Sequence, residues 1–237
     1  MELRDLHRWD LLPKEAVAVQ RELAPLVICR GGPKAVRRVA GVDISVDRVE
    51  KRPDGRPHGR GTGAVVVLSY PELQVVQVAV AEAPLTFPYV PGLLSFREVP
   101  VLREAFRQVR GPIDLLLVDG QGYAHPRRFG IACHLGLLLD VPTIGCAKSR
   151  LLGEQRGELG QAAGSRADLV DGGEVIGSVL RTRAGVRPLF VSIGHRIGLA
   201  AAEAWVLRCC RGYRLPEPTR LAHQAAGGRG PEVPTTM

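Results

Sequence analysis

Three β-branched segments follow one another with no helical stretch between them, at residues 36–46, 63–70 and 73–81. Short connections between such runs predict an antiparallel meander. Beyond Pro84 the pattern changes to alternation. A helix is expected over 96–109, a buried-type apolar strand over 113–118, a helix over 130–139 and a short strand over 142–146. The order β-β-β-α-β-α-β defines an α/β fold in which one mixed sheet is covered by helices. A first helix at 13–27 opens on Pro13, where the missing N–H costs least. Strands at 175–182 and 189–193 and helices at 199–210 and 217–226 complete the expected framework. Residues 51–61, rich in Pro, Gly and charge, read as a hairpin insertion, and no internal repeat is visible.

The chain has 237 residues, enough for one large domain, expected at 1–226 with a small polar tail at 227–237 that should be disordered. The longest apolar stretches, 64–68 and 135–139, fall far short of the roughly 18 residues of a membrane span. Charges at Glu2, Arg4 and Asp5 stand where a secretory leader would be apolar, so export is not expected. Five cysteines with no CxxC spacing argue against a disulfide framework or a zinc site, which suits a reducing cytoplasm. Lys and Arg number 32 against 24 Asp and Glu, a net charge of +8. Such a balance points to a polyanionic partner, nucleic acid first, although a genome that favours Arg codons would raise it too.

Some charged residues sit where charge is expensive. Asp43 lies inside Val39-Ala-Gly-Val-Asp-Ile-Ser-Val46, and Asp119 ends Leu115-Leu-Leu-Val-Asp119. A carboxylate in an apolar strand needs a partner or a cation, and ligands of open α/β sheets bind at the carboxyl ends of strands. Each could also be a strand-terminal Asp that opens a turn. Glu98 has its own alternative, because Ser95-x-x-Glu98 has the form of a capping box with Ser95 as N-cap. The rigid Pro88-Tyr-Val-Pro-Gly92 loop ahead of it would hold that first helical turn against the strands. Lys148, one of four lysines, follows a buried strand and can hold a phosphate or a water near carboxylates, or simply be a solvated strand-end cation. His125-Pro-Arg-Arg128, in the loop after Asp119, is expected to turn its side chains, with the amides near Gly130, toward phosphates. Gly120-x-Gly122 lacks the third glycine of a dinucleotide loop.

Taken in order, Val42-Asp43, Pro88-Tyr-Val-Pro-Gly-Leu-Leu-Ser-Phe-Arg-Glu98, Val118-Asp-Gly-Gln-Gly122, His125-Pro-Arg-Arg-Phe-Gly130 and Pro142-Thr-Ile-Gly-Cys-Ala-Lys-Ser149 resemble endonuclease V, the deoxyinosine-directed repair nucleases, over roughly residues 10–226. The resemblance implies an RNase H-like fold and Mg²⁺- or Mn²⁺-dependent cleavage of the second phosphodiester bond 3′ to deoxyinosine, leaving 3′-hydroxyl and 5′-phosphate ends. It implies that Asp43, Glu98 and Asp119 bind metal and that Lys148 and His223 complete the catalytic site. It also makes Tyr89 a wedge at the vacated base position, lines the hypoxanthine pocket with Gly92, Leu94, Gly120, Ile131 and Leu151, and puts His125 in a nucleic-acid-contacting loop. One departure stands out: Gln121 occupies the middle of a motif where many members have His, and Gln cannot titrate near neutral pH.

The residues agree with that chemistry, since hard oxygen ligands without a Cys/His cluster favour Mg²⁺ or Mn²⁺ over zinc. The implied partner is DNA containing deoxyinosine, with inosine-containing RNA as an alternative substrate, and the implied state is a monomer with no membrane association. Another RNase H-like nuclease would keep the acids without a preference for inosine. A non-catalytic nucleic-acid-binding module would keep the basic surface without needing Asp43 and Asp119.

Overall fold

A computed structural model describes residues 1, 3–46, 50–51 and 57–231. Helix α1 (Pro13–Leu23) runs into a single 3-10 turn, Ala24–Leu26, and a meander follows from β1 (Arg38–Val46), β4 (Arg60–Ser69) and β5 (Val75–Pro84). Between β1 and β4 the two-residue strands β2 (Glu50–Lys51) and β3 (Pro57–His58) pair with each other, and the rest of the expected hairpin insertion lies largely outside the described residues. Helix α2 (Leu94–Gln108), β6 (Leu115–Val118), α3 (Ile131–Leu139) and β7 (Thr143–Ala147) supply the alternating half. Then come β8 (Glu154–Arg156), β9 (Arg166–Asp171), β10 (Glu174–Leu180), β11 (Leu189–His195), α4 (Leu199–Arg208) and α5 (Glu217–Ala226).

Nine strands form one sheet in the order β5-β4-β1-β6-β7-β11-β10-β9-β8. It is mixed: β1, β6 and β7 are parallel neighbours, and every other pairing is antiparallel. Both faces of its centre are covered, which is why the central strands read as unbroken apolar runs. Along β6, Leu115 and Leu117 face the layer built by α4 and α5, while Leu116 and Val118 face α2 and α3. Helix α1 packs outside this second layer, Ala16 against Phe87, Leu93 and Phe96, and Leu23 against Phe129 and Cys133. Among the described residues no helix is long and apolar enough to cross a membrane.

Two expectations need correction. Strands β8 and β9 carry no strand signal in the sequence, because β8 is three exposed polar residues and β9 turns only Ala167 and Leu169 fully inward. They form because β10 leaves an open edge for them to pair with. Ser95 is not the N-cap of α2. The amide of Leu93 closes a turn onto Val90 O at 2.9 Å, so the helix starts at Leu94 with Leu93 at its N-cap. The Ser95 hydroxyl is buried with no hydrogen-bond partner among the described residues, and the capping box that would have occupied Glu98 does not form.

Candidate active site

The parallel register of β1 and β6 pairs Val42 with Val118, so the next residues, Asp43 and Asp119, emerge side by side. The Asp119 amide donates to Val42 O at 3.2 Å, which ties the two strand ends together. Helix α5 brings His223 over the same spot. A side chain at Gly41 would collide with the backbone of Pro218, its Cβ 2.0 Å from the Pro218 carbonyl, so only glycine lets the first turn of α5 lie directly on β1. His223 Nδ1 then lies 2.6 Å from Asp43 Oδ2. A carboxylate offers only lone pairs, so Nδ1 carries the proton of this bond. The strand following α3 delivers Lys148, which forms an ion pair with Asp119 and places Nζ 3.5 Å from the His223 ring.

Asp43, Asp119 and His223 each present a potential ligand atom within 4.8 Å of the others, close enough to hold one metal ion. Glu98, the fifth residue of α2, comes near Asp43 and Asp119. Burial, and then the charges of Asp43 and Asp119, push its carboxyl up to about 8. Burial and Asp43 also raise Asp119, against the opposing pull of Lys148 and His223. Burial thus disfavours the ionised form of both carboxyls, and each feels the charge of Asp43, an environment that a bound cation would relieve.

Beside Asp119 and Lys148 opens a cavity of about 340 Å³, within the usual range for a small-molecule pocket. One wall comes from the loop before α2 and its first turn, with Gly92, Leu94 and Ser95. The facing wall comes from Gly120, Gln121 and Ile131, and Leu151 closes the rim. Tyr89 stands at the mouth, 71% exposed. Gln121 donates from Nε2 to Ser149 O at 2.9 Å, linking the loop after β6 to the loop after β7, while its buried Oε1 has no partner among the described residues.

The His125-Pro-Arg-Arg128 loop departs from expectation. His125 is 3% exposed, with Nε2 2.9 Å from Gly92 O, and burial pushes its imidazole down to about 4. Arg127 turns inward to Gly92 O and to Gln20. Arg128 is held by Asp171 of the unforeseen strand β9 and by Glu174, each at 2.8 Å. The nearby amides are spent as well, Gly130 on Gly122 O and Ala132 on Gln121 O. Sequence reading also missed Gln20, which is 1% exposed and reaches the pocket. Its signal was available in the helical phase of α1, where it shares the buried face of Ala16 and Leu23.

The profile of a protein family described as Endonuclease V matches residues 21–224. An endonuclease V of Gloeobacter violaceus is 55% identical over 218 residues, which are 92% of this chain and 86% of that one. The crystal structure of an endonuclease V from Streptomyces avermitilis superposes with a TM-score of 0.84 at 41% identity, covering 96% of this chain and 97% of that one. A Ciona intestinalis endonuclease V, solved in complex with a 24mer DNA containing an inosine followed by a ribo-adenosine, superposes with a TM-score of 0.77 at 29% identity over 91% of this chain and 95% of that one.

Proposed function

Since the chain belongs to the Endonuclease V family, we propose that it is a DNA repair endonuclease that takes deoxyinosine into the pocket beside Asp119 and hydrolyses the second phosphodiester bond on its 3′ side. One observation carries this reading: Asp43, Asp119 and His223, whose polar atoms lie within 4.8 Å of one another, adjoin a base-sized pocket that shares Asp119 with them. Asp43, Asp119 and Glu98 would hold the divalent cation of the family, Mg²⁺ or Mn²⁺. Their hard oxygen donors fit such an ion better than zinc. When bound, that ion supplies Lewis-acid polarisation of the phosphate and lowers the pKa of a water.

The remaining chemistry belongs to the chain. His223 holds Asp43 in one orientation through the bond at Nδ1. Lys148, paired with Asp119 in the absence of substrate, exchanges that partner for the phosphate and offsets the charge that builds there. Attack of water on phosphorus with departure of the 3′ oxygen leaves 3′-hydroxyl and 5′-phosphate ends. Hypoxanthine differs from guanine only by the missing 2-amino group, so close apolar walls at Leu94, Ile131 and Leu151 select by exclusion. Tyr89, projecting from a loop bounded by two prolines, fills the gap left by the extruded base. The protein acts as a monomer in the cytoplasm, a setting that suits five cysteines none of which is bridged.

The test is a cleavage assay on matched strands of DNA and RNA, each with one inosine, with Mg²⁺ or with EDTA. Mg²⁺-dependent nicking of the DNA strand, mapped to the second bond, is expected. No divalent-dependent nicking, or equal nicking of strands without inosine, would overturn the reading.

A further inference from the structure

The carbonyl of Gly92 is the most heavily engaged acceptor at the pocket. It receives Gln20 Nε2 at 3.0 Å from α1, and His125 Nε2 at 2.9 Å and Arg127 Nη2 at 2.7 Å from the loop after β6. We propose that Gln20, His125 and Arg127 are positioning residues that clamp this carbonyl, and that discrimination of the lesion base depends on this internal clamp and not on phosphate contacts by the His125–Arg128 loop. The inference rests on the deoxyinosine specificity proposed above.

The three donors also bind one another. Arg127 Nε donates to Gln20 Oε1, and Gln20 Nε2 makes a second bond to Phe129 O at 3.0 Å. This settles which end of the amide is which, because Nε2 faces two carbonyls while Oε1 faces an N–H. His125 donates from Nε2 to the carbonyl, and its Nδ1 accepts the Arg127 amide at 3.2 Å, so both ring nitrogens are engaged in a neutral imidazole. A guanidinium bound at two atoms to two acceptors has a fixed plane, which a flexible ammonium cannot reproduce.

The clamp bears on selectivity because of what Gly92 connects. Its φ of +79° is a left-handed conformation, and a Cβ there would meet Arg127 Nη2 at 2.9 Å, so residue and clamp fit only as glycine. The chain then turns at once into α2, whose first residues carry Leu94 and Ser95 to the pocket and Glu98 to the carboxylates. Displacement of Gly92 would therefore move the pocket wall. The clamp also has a chemical consequence: a carbonyl holding three donors has no lone pair left for the base, so Gly92 O bounds the pocket without reading it.

Arg127→Lys and Arg127→Ala separate the two roles. A lysine keeps the charge that a phosphate contact needs and loses the planar fork that the clamp needs. Initial nicking rates on duplexes identical except for inosine or guanine, at fixed salt, give the selectivity ratio. Binding to an undamaged duplex across a salt series gives the number of phosphate contacts. Both variants are expected to lower the inosine-to-guanine ratio roughly tenfold, the scale of one lost charge-assisted hydrogen bond, with an unchanged salt slope. A lysine variant like wild type, together with an alanine variant whose slope falls by about 1 at constant ratio, would make Arg127 a phosphate contact and overturn the inference. Gln20→Leu attacks the clamp from α1 with a buried side chain of similar size, and should lower the ratio as well. A folded Gln20→Leu protein with wild-type selectivity would also overturn it. A wild-type enzyme that nicks both duplexes equally would remove the deoxyinosine reading itself, whereas a selective wild type whose variants stay selective would defeat the clamp alone.

Discussion

Glu98→Gln should make the metal-free protein more stable while abolishing nicking. Burial and the neighbouring charges of Asp43 and Asp119 raise the Glu98 carboxyl from 4.5 to about 8. Between those values the folded protein binds a proton that the unfolded chain has released, so stability falls as pH rises. Each pH unit of that window is worth about 1.4 kcal/mol. At about pH 7, roughly 2.5 units above the unfolded value, the wild-type carboxyl would destabilise the fold by up to about 3 kcal/mol, and at about pH 4.5 by almost nothing. Glutamine keeps the shape and cannot ionise, so its advantage should grow across the same window. The assay is urea denaturation in EDTA at several pH values, repeated with Mg²⁺, which should stabilise the wild type more than the variant because a bound ion favours the folded state. Parallel stability curves for the two proteins from about pH 5 to about pH 8 would refute the reasoning, as would normal nicking by the variant.

Tyr89→Ala should lose roughly 1–3 kcal/mol of inosine-duplex binding, the scale of one aromatic stack, and Tyr89→Phe much less, as measured by titration at fixed salt; equal losses would assign the effect to the hydroxyl. Leu94→Ala, which enlarges the pocket, should narrow the inosine-to-guanine ratio of nicking rates. Gly120→Val should suppress nicking of both duplexes, because its Cβ would sit 2.6 Å from Ile131 Cγ2. Ser95→Ala removes a buried hydroxyl that has no partner among the described residues and should raise stability by about 1 kcal/mol in urea denaturation; a clear loss would mean that the hydroxyl is hydrogen-bonded in the folded protein.

Asp43 and Asp119 were legible one residue at a time, because a carboxylate inside an apolar strand is a local contradiction that calls for a partner. The meander and the alternating half were legible for a similar reason, since strand and helix leave different periods in the order of side chains. The long motifs carried the family resemblance because they are contiguous, and they did so without any knowledge of what each side chain touches. Contact is the part that the order of residues leaves open. His223 lies on a helix 180 residues from Asp43 and meets it only because Gly41 lets α5 settle on β1. Ser95-x-x-Glu98 satisfied the grammar of a cap, yet the turn at Val90–Leu93 started the helix earlier and left Glu98 to the carboxylates. Strands β8 and β9 exist because an edge was available, a property of the sheet and not of their residues. The same long-range pairing decided the basic loop. Its charge pointed outward to phosphate on sequence grounds, until Gly92, Gln20, Asp171 and Glu174 were brought within reach of its donors. Burial cost is local and can be read along the chain, but the partner that offsets it is chosen by packing between segments far apart in sequence.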